Sequence, residues 1–563
     1  MIFGHHVLFF GHTAPPSSCI IFKIRYNGTV SVSFSFKFER RTQVMIQVFN
    51  TLSKSKEEFT TVSGTNKVGM YLCGPTVYKP SHIGHMVGPV IFDTVKRYLV
   101  YNGYDVRFII NITDVDDKLI NESNARGISM AALAEEMIQD YQSNIRALNV
   151  TTVSDFPKAT DHIKNMIPFI QRLIDRGYAY PAEGDVYFDV AKFPEYGKLS
   201  HRTLDQMQGE GGSMASQKRN AADFALWKAA KPGEPSWESP WGPGRPGWHI
   251  ECSVMCHEML GDTFEIHGGG LDLMFPHHEN EIAQSECCTG KPYVKYWMHN
   301  GLMQASSEIG KVGGRKTREA APEEGDLASQ EGGKISKSKG AAAFKEMLKE
   351  FSGENIRFFV LSTHYRRPID FSNERIRQIG SGMEAFYRFF KRFQRVTGES
   401  IYELAFDADR TAGDAFAAEL SGEFLAGVKE SRDRFLASMD DDFNTGGAIG
   451  ELFELVKRLN KFVDENKLEE TKDAALAEQL KAGCRIFREL ANILGVFDQE
   501  IAKEEEGEDS NLVNDLMGLL IELRKNAKKA KDFATADAIR DQLKALGITL
   551  EDRPGGVTEW SRG

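Results

Sequence analysis

Two histidines separated by an isoleucine and a glycine stand in PTVYKPSHIGHMVGP, residues 75–89. The stretch follows the apolar run MYLC and precedes apolar residues at helical spacing, so His82 and His85 lie where a helix begins after a strand. Free backbone N–H groups and the helix dipole attract phosphate at such a position. The imidazoles can donate hydrogen bonds to phosphoryl oxygens, and Gly84 lets a bulky ligand approach the backbone. By itself this short match is weak, and a purely structural role fits it as well.

A second basic element lies far downstream, in KISKSKG at residues 334–340. Lys334, Lys337 and Lys339 surround two small hydroxyl residues beside glycines, so the segment can form a flexible loop that closes over a triphosphate. Lys337 would then stabilise the departing pyrophosphate. Taken alone, the same residues also fit a solvated lysine run on the surface.

Side chains suited to a soft divalent metal are spread over the chain. Cys73 ends the first predicted strand, and Cys252 follows a Trp- and Pro-rich segment. The motif HHENE places His277 and Glu281 four residues apart, on one face of a predicted helix. Two thiolates, one imidazole and one carboxylate match the ligand preferences of zinc. The spacing leaves the choice between His277 and His278 open, and buried cysteines without a metal are the common alternative.

Composition narrows the class of protein. The chain has 563 residues, 41% of them hydrophobic, which suits about three or four domains with ordinary buried cores. Its net charge of −11 argues against sequence-blind binding of nucleic acid, so a nucleic-acid partner needs a local basic patch. The seven scattered cysteines indicate a reducing compartment, and we expect a cytoplasmic protein.

Residues 1–44 resemble nothing else in the chain. Their apolar runs are interrupted by His, Gly, Pro and Ser and fit neither a signal peptide nor a membrane span, so we expect no membrane partner. Met45 opens the sequence MIQVFNTLSKSKEEF, and we interpret residues 1–44 as a non-native or disordered extension before the true start. A transit peptide is the rarer alternative, since the segment holds five basic residues against the single acid Glu39.

Apolar periodicity indicates the elements that position these side chains. GMYLC (69–73) and VRFIINITD (106–114) predict buried parallel strands, and VIFDTVKRYLVYNG between them predicts a helix, which gives a β-α-β unit. Residues 120–180 predict helices. The Gly-, Trp- and Pro-rich stretch 237–249 predicts a shaped loop, and FEIHGGG after it predicts a strand of the same sheet followed by a glycine turn.

The second half of the chain has a different pattern. Residues 304–333 are rich in Gly, Glu and Ser and predict a mobile surface loop inserted before the lysine loop. From 343 to 500 one amphipathic helix follows another. KEEEGEDSN (503–511) predicts a charged linker, and the residues after it predict a helical hairpin with a strand-like tail.

With both signatures in this order, the chain resembles a class I aminoacyl-tRNA synthetase, whose HIGH and KMSKS motifs match HIGH and KISKS here. The blocks YLCGPTVY, NITDVDDK, DFALWK, GRPGWHIECS and HGGGLDLMFPHHENEIAQS resemble one family of that class, the cysteinyl-tRNA synthetases. The likeness extends from about Met45 to the C-terminus. It implies an α/β fold with a Rossmann-like parallel-sheet catalytic domain and an inserted connective segment, followed by an α-helical anticodon-binding bundle and a small C-terminal domain.

The resemblance also implies a division of the chain into regions. These are the extension 1–44, the first half of the catalytic domain 45–160, the connective insertion 161–225, the second half 226–342 with the insertion 304–333 and the KISKS loop, a stem-contact region 343–400, a helical bundle for tRNA binding 401–502, an acidic linker 503–511, and the anticodon-recognition domain 512–563. The connective insertion looks too short and too helical to hold an editing domain.

Site residues follow from the resemblance, position by position. The family's zinc ligands map to Cys73, Cys252, His277 and Glu281, with one zinc ion per chain. The catalytic residues map to His82, His85, Lys334 and Lys337, of which His85 and Lys337, with Gly84, bind ATP. The substrate-binding residues map to Thr113, Trp248 and Asp272. Without the resemblance, a core role for Trp248 and a turn role for Asp272 are equally good interpretations.

The implied activity is ATP- and Mg²⁺-dependent activation of L-cysteine, followed by transfer of the cysteinyl group to the 3′ end of tRNA(Cys). Zinc would select the cysteine thiolate over serine, and we expect a monomer. Residues 524–544 hold seven Lys or Arg against three Asp, a basic face for tRNA or simply a solvated helix surface. Ile335, Lys339 and Ala341 depart from the family pattern, and Pro89 could kink the helix after HIGH.

Two rival functions remain open at this point. A related ligase makes the same adenylate and passes cysteine to an amino-sugar, but the long tail after the lysine loop counts against it. A non-catalytic tRNA- or metal-binding protein of the same fold is the other rival, and the intact HIGH and KISKS motifs count against that one.

Overall fold

The structure is a computed structural model that describes residues 19–26, 30–37, 45–202, 218–305, 343–500, 508–553 and 557–562. The chain divides into two units, Met1–Met45 and Ile46–Gly563. In the first unit β1 (Cys19–Tyr26) pairs antiparallel with β2 (Val30–Lys37). The described part of the expected disordered extension therefore has secondary structure, and the alternation in VSVSFSFK is the pattern of such a strand.

The second unit opens with a hairpin and then alternates strands with helices. Its first elements are β3 (Gln47–Asn50), β4 (Ser55–Glu58), β5 (Lys67–Leu72), α1 (Gly84–Tyr101), β6 (Asp105–Ile110), α2 (Asp117–Arg126) and α3 (Met130–Ala147). β5 and β6 pair in parallel across their whole length, which confirms the predicted β-α-β unit. α1 runs without interruption through Pro89, so the proline does not end the helix.

The connective region contains a small antiparallel sheet rather than helices alone. After α4 (Ile163–Asp175) come β7 (Ala179–Ala182), β8 (Asp185–Phe188), β9 (Phe224–Ala229) and β10 (Gly244–Pro246), in the order β10-β9-β8-β7. The expectation of a helical insertion was wrong because these strands are only three to six residues long, too short to show a period. Part of the predicted loop 237–249 is β10.

The part of the chain after β10 supplies two more strands to the parallel sheet. Its elements are α5 (Trp248–Leu260), β11 (Phe264–Gly270), α6 (Glu279–Thr289), β12 (Val294–Asn300) and β13 (Met303–Ala305). β11 pairs in parallel with β5 and β12, so the sheet order is β12-β11-β5-β6. The predicted parallel sheet is confirmed. The three glycines expected to form a turn instead end β11, where a Cβ at Gly268 would lie 2.1 Å from Cζ of Phe92 in α1.

Helices dominate the rest of the described chain, as the periodicity predicted. They are α7 (Phe344–Met347), α8 (Gly353–Leu361), α9 (Asn373–Thr397), α10 (Arg410–Glu419), α11 (Glu423–Asp440), α12 (Thr445–Glu465), α13 (Leu468–Thr471) and α14 (Ala474–Leu494). One short strand among them, β14 (Ile369–Phe371), pairs in parallel with β13. The insertion expected at 304–333 lies almost wholly outside the described residues.

The C-terminal region is the predicted helical hairpin followed by strands. Its elements are α15 (Glu508–Lys529), α16 (Phe533–Ala545), β15 (Ile548–Arg553) and β16 (Val557–Arg562), and the two strands pair antiparallel. α15 begins inside the segment expected to be a linker, where acidic residues suit the start of a helix. Among the described residues, no helix is both long and apolar enough to span a membrane.

A buried ion pair fixes the middle of α1 to the helical region. Nη2 of Arg357 in α8 lies 2.7 Å from Oδ2 of Asp93, and both side chains are fully buried. Nε of Arg357 also donates to the carbonyl of Leu494 at the end of α14, at 2.7 Å. Burial raises the pKa of Asp93, but the charges of Arg357 and Arg97 outweigh it and hold that pKa below its usual value. The helix that starts with the HIGH motif is thereby held at its centre.

Candidate metal centre and nucleotide site

The candidate residues gather at the carboxyl edge of the parallel sheet. Cys73 directly follows β5, and α1 begins at Gly84 after the loop that leaves the same strand. The segment with His277 and Glu281 comes shortly after the end of β11. Ligands of open α/β sheets bind outside the carboxyl ends of the strands. The topology therefore brings both predicted sites to the part of the fold where a ligand is expected.

The two histidines of the HIGH motif stack on each other, with ring centroids 3.8 Å apart. The Gly84 N–H donates to Nδ1 of His82 at 3.1 Å, and the His82 N–H donates to Nδ1 of His85 at 3.2 Å. Because each Nδ1 accepts a backbone N–H, a neutral imidazole must carry its proton on Nε2. Both rings thus carry a hydrogen on Nε2, and such an N–H group is able to donate to a phosphoryl oxygen.

The four predicted metal ligands meet in one cluster. The two sulfurs of Cys73 and Cys252 are 3.8 Å apart, and Sγ of Cys252 is 3.6 Å from Nε2 of His277. Oε1 of Glu281 lies 3.5 Å from Sγ of Cys73 and 3.1 Å from Nε2 of His277. A tetrahedral zinc ion with the usual bond lengths separates its ligand atoms by about 3.8 Å for two sulfurs, about 3.5 Å for sulfur with nitrogen or oxygen, and about 3.3 Å for nitrogen with oxygen. The donor atoms fit zinc in kind and in spacing.

The backbone that presents His277 and Glu281 is less regular than the predicted single helix. An irregular turn, Met274–His278, precedes α6, and Phe275 within it is extended, with φ −136° and ψ 134°. Only Glu281 lies in α6 itself. The two side chains nevertheless meet, so the four-residue spacing predicted the contact correctly although the helix starts later than expected.

Glu281 is held so that its two oxygens face different partners. Oε1 faces the other candidate ligands, while Oε2 accepts from Nε2 of His267 at 2.9 Å and from the Tyr293 hydroxyl at 3.1 Å. Burial raises the pKa of Glu281, but the charge of His267 and hydrogen bonds from His267 and His277 hold it well below the usual value. Partners of this kind orient a ligand. Sequence reasoning missed His267 and Tyr293 because nothing near them in the chain marks them as metal-site residues.

The two thiols differ in acidity. Burial and the hydrogen bond with Cys252 raise the pKa of the Cys73 thiol well above its usual value. Burial also acts to raise the pKa of Cys252, but hydrogen bonds with Cys73 and His277 outweigh it and lower that pKa to about 6. A thiolate forms most readily on Cys252, and thiolate is the form of cysteine that binds metals.

A second combination of side chains is also close enough to bind a metal. It replaces Cys252 and His277 by His267 and His278, and in each combination the ligand atoms lie within 4.8 Å of one another. Nε2 of His278 is 3.3 Å from Sγ of Cys73. The distances therefore allow either His277 or His278 as a ligand, the same choice that the sequence left open.

The predicted substrate-binding residues lie in different surroundings. The Thr113 hydroxyl is buried and donates to Oε2 of Glu251 at 2.8 Å. Trp248 is 40% exposed, and its ring centroid lies 4.2 Å from that of His277. Asp272 is exposed and follows the end of β11. Trp248 thus contacts the cluster directly, and Thr113 is hydrogen-bonded to Glu251, the residue before Cys252. Lys334 and Lys337 lie outside the described residues.

The sequence matches three protein families along its length. Residues 59–311 and 325–381 match the tRNA synthetases class I (C) catalytic domain. Residues 434–498 match the DALR domain, and residues 519–560 match the cysteinyl-tRNA ligase anticodon binding domain. The first matched region contains the parallel sheet, the second lies among the helices after residue 343, and the third lies in the C-terminal hairpin and strands.

Whole-length relatives give the same assignment. The chain is 43% identical over 520 residues to the cysteine–tRNA ligase of Geobacillus thermodenitrificans, with 92% of this chain and 99% of that protein covered. It is 41% identical over 519 residues to the cysteine–tRNA ligase of Thermococcus onnurineus, with the same coverage. A solved structure, Mycobacterium tuberculosis methionyl-tRNA synthetase bound by methionyl-adenylate, superposes with a TM-score of 0.53 at 14% identity over 76% of this chain and 90% of that one, a likeness of fold alone. The chain belongs to the cysteine–tRNA ligase family of class I tRNA synthetases.

Proposed function

We propose that the protein is a cysteine–tRNA ligase that activates L-cysteine with ATP to cysteinyl-adenylate and transfers the cysteinyl group to the 3′ end of tRNA(Cys). One observation carries the proposal beyond family membership. Cys73, Cys252, His277 and Glu281 have the spacing of a tetrahedral zinc site, at the same sheet edge as the HIGH motif. A thiol-selective centre beside a phosphate-binding element suits activation of cysteine.

Cys73, Cys252, His277 and Glu281 would hold one zinc ion per chain. When bound, zinc would supply a Lewis acid that prefers a thiolate to the neutral hydroxyl of serine. We favour His277 over His278 because the set with His277 includes both thiols.

The residues of the chain would act on ATP and cysteine by binding and orientation. The Nε2–H groups of His82 and His85 donate to the phosphates of ATP–Mg²⁺ as cysteine attacks the α-phosphorus and pyrophosphate leaves. Lys334 and Lys337 add positive charge to the same phosphates. Trp248, which lies over the His277 ring, flanks the small cysteine side chain, and Thr113 and Asp272 hold polar groups of the substrates.

Binding of tRNA is assigned to the helical and C-terminal regions. Their matches to the DALR and anticodon binding domains favour a tRNA acceptor over an amino-sugar. The C-terminal half of α15 is basic, although the chain as a whole is acidic. A local basic face is what binding to a phosphate backbone needs.

The test is transfer of labelled cysteine to deacylated tRNA with ATP, Mg²⁺ and zinc-loaded protein, beside a serine control. We expect charging with cysteine and none with serine. Cysteine-dependent pyrophosphate exchange without charging would overturn the tRNA acceptor but not the activation step. Absence of both reactions in zinc-loaded protein would overturn the whole assignment.

Metal content tests the ligand set separately. Cys252→Ser should lower bound zinc from about one per chain to well below that value, because a neutral hydroxyl replaces a thiolate. Cys484→Ser is the matched control, since Cys484 is also fully buried but lies in α14 among apolar residues. Equal zinc content in the two variants, measured by atomic emission, would contradict the assignment of Cys252.

A further inference from the structure

Glu279 lies between the candidate ligands His277 and Glu281 and points away from them. Its side chain is fully buried and accepts three backbone N–H groups from one distant segment. Oε2 accepts from Ser200 at 2.7 Å, and Oε1 accepts from Gly197 at 3.0 Å and from Leu199 at 3.3 Å. A buried carboxylate with three such donors is a strong, directional attachment.

The same segment, residues 196–202, is attached to neighbours of Glu279 as well. The Tyr196 hydroxyl donates to Oδ1 of Asn280, and Nζ of Lys198 lies 2.5 Å from Oε2 of Glu286. These attachments add two further points along α6. Residues 196–202 therefore follow α6 over about two turns rather than crossing it at one point.

The contacts extend to both sides of the candidate ligands. The Arg202 guanidinium lies 5.0 Å from the centre of the Phe275 ring, two residues before His277. Leu199 is fully buried in the apolar cluster that also contains Cys252. Residues 196–202 thus hold the irregular turn and the start of α6, the two pieces of backbone that aim His277 and Glu281.

We propose that residues 196–202 preorganise the metal-ligating turn and that Glu279 is a positioning residue for the metal. An irregular turn has no complete set of helical hydrogen bonds to fix its shape, so the shape must come from outside contacts. Glu279 directly follows the turn and holds its C-terminal end through three hydrogen bonds to a single segment. This inference rests on the proposed zinc site and adds residues that do not themselves touch the ion.

The experiment compares Glu279→Gln with Glu265→Gln. The amide keeps the shape of the side chain but puts an NH₂ group against backbone N–H donors. Glu265 is a matched control because it is buried and also accepts backbone N–H groups, from Val62 at 2.8 Å and Gly69 at 2.7 Å. It lies near the start of β11, at the opposite end of the strand from the candidate metal site.

The readout is the rate of zinc release to a chromophoric chelator from the full-length protein, with thermal unfolding recorded for each variant. We expect Glu279→Gln to release zinc about 10–100-fold faster than the unaltered protein, and Glu265→Gln to release it at the unaltered rate. The visible spectrum of the Co²⁺-substituted protein should change for Glu279→Gln and stay unchanged for Glu265→Gln. If Glu279→Gln does not fold, Tyr196→Phe takes its place. This variant removes the hydroxyl that donates to Asn280, and we expect it to accelerate zinc release by less than about 10-fold.

Each alternative result has a definite meaning. Equal release rates for both glutamine variants, at equal loss of thermal stability, would show that Glu279 only stabilises the fold and would overturn the proposal. An unchanged release rate for Tyr196→Phe would do the same where Glu279→Gln is unfolded. Failure of the unaltered protein to bind zinc would overturn the metal site itself, and with it this inference.

Discussion

The tautomers of His82 and His85 are set by the backbone. Each Nδ1 accepts an N–H from the same short turn, so the ring orientation and the protonated nitrogen are fixed together. A hydrogen-bond donor that is already aimed loses little entropy when phosphate binds. The HIGH turn is therefore a preorganised pair of donors as well as the start of a helix.

This geometry separates two roles of His85, accepting through Nδ1 and donating through Nε2. His85→Asn keeps an acceptor near the position of Nδ1, whereas His85→Gln keeps a donor near that of Nε2. We expect His85→Asn to lower the rate of cysteine-dependent pyrophosphate exchange about 10²–10³-fold, with His85→Gln less affected. Equal losses in the two variants, at unchanged thermal stability, would contradict a donor role for Nε2.

At the residue scale, the sequence predicted those side chains that stand in dense motifs. Cys73, Cys252, His277 and Glu281 meet as expected. Glu251, the partner of Thr113, was missed although it is adjacent to Cys252, because a carboxylate inside a helix is usually a solvated residue. Contacts between residues far apart in the chain leave no local pattern in a single sequence.

At the scale of elements, long periodic segments were predictable and short ones were not. α1, the strands beside it and the helices after residue 343 follow directly from the spacing of apolar residues. The antiparallel sheet in the connective region has strands of three to six residues, and its stability comes from packing such as that of the fully buried Trp227. Tertiary packing of that kind decides the structure of segments with no clear period.

α1 depends on the ion pair between Asp93 and Arg357. Arg357→Met leaves Asp93 buried and removes one of its two close ion pairs, so we expect a loss of about 3 kcal/mol in the free energy of unfolding, measured by chemical denaturation. Arg434→Met is the control, because Arg434 is exposed in its ion pairs and should lose less than about 1 kcal/mol. Similar losses in both variants would contradict a special role for the buried pair.

The junction between α8 and β14 should respond to pH through His364. Burial lowers the pKa of His364 to about 4, and the opposing charge of Asp442 does not offset it. Between pH 6.5 and 4 the unfolded chain binds a proton that the folded protein does not, so this contribution to stability is present above pH 6.5 and is lost as pH falls.

His364→Asn removes the titrating group while Oδ1 of asparagine can still accept the Arg366 N–H. We expect stability to fall less steeply between pH 6.5 and 4 in this variant, by up to about 3 kcal/mol over the range. Thermal unfolding at a series of pH values measures the difference. Parallel curves for the variant and the unaltered protein would contradict the lowered pKa.

At the scale of the whole molecule, catalytic and tRNA-binding functions are assigned to different regions. Lys525 and Lys529 are exposed on the basic half of α15, far along the chain from the sheet. We expect Lys525→Ala combined with Lys529→Ala to weaken tRNA binding and to lower the salt slope of log Kd by about 1–2. Pyrophosphate exchange should be unchanged, because in the proposed reaction cysteine attacks ATP before the cysteinyl group is transferred to tRNA.

Lys67→Ala provides the comparison for this experiment, since Lys67 is exposed at the start of β5, the edge of the sheet opposite the candidate site. Its salt slope should equal that of the unaltered protein. Fluorescence anisotropy with labelled tRNA at several salt concentrations measures all three proteins. An unchanged slope in the α15 variant would place the tRNA contacts elsewhere.

The metal cluster is assembled from distant parts of the chain, and this sets an order of events during synthesis. Cys73 and Glu281 are 208 positions apart. At about 5–20 residues per second, a ribosome needs about 10–40 s to translate from the first ligand to the last. Throughout that interval Cys73 lacks at least one of the other candidate ligands, so a newly made chain holds the complete ligand set only after half of it has been translated.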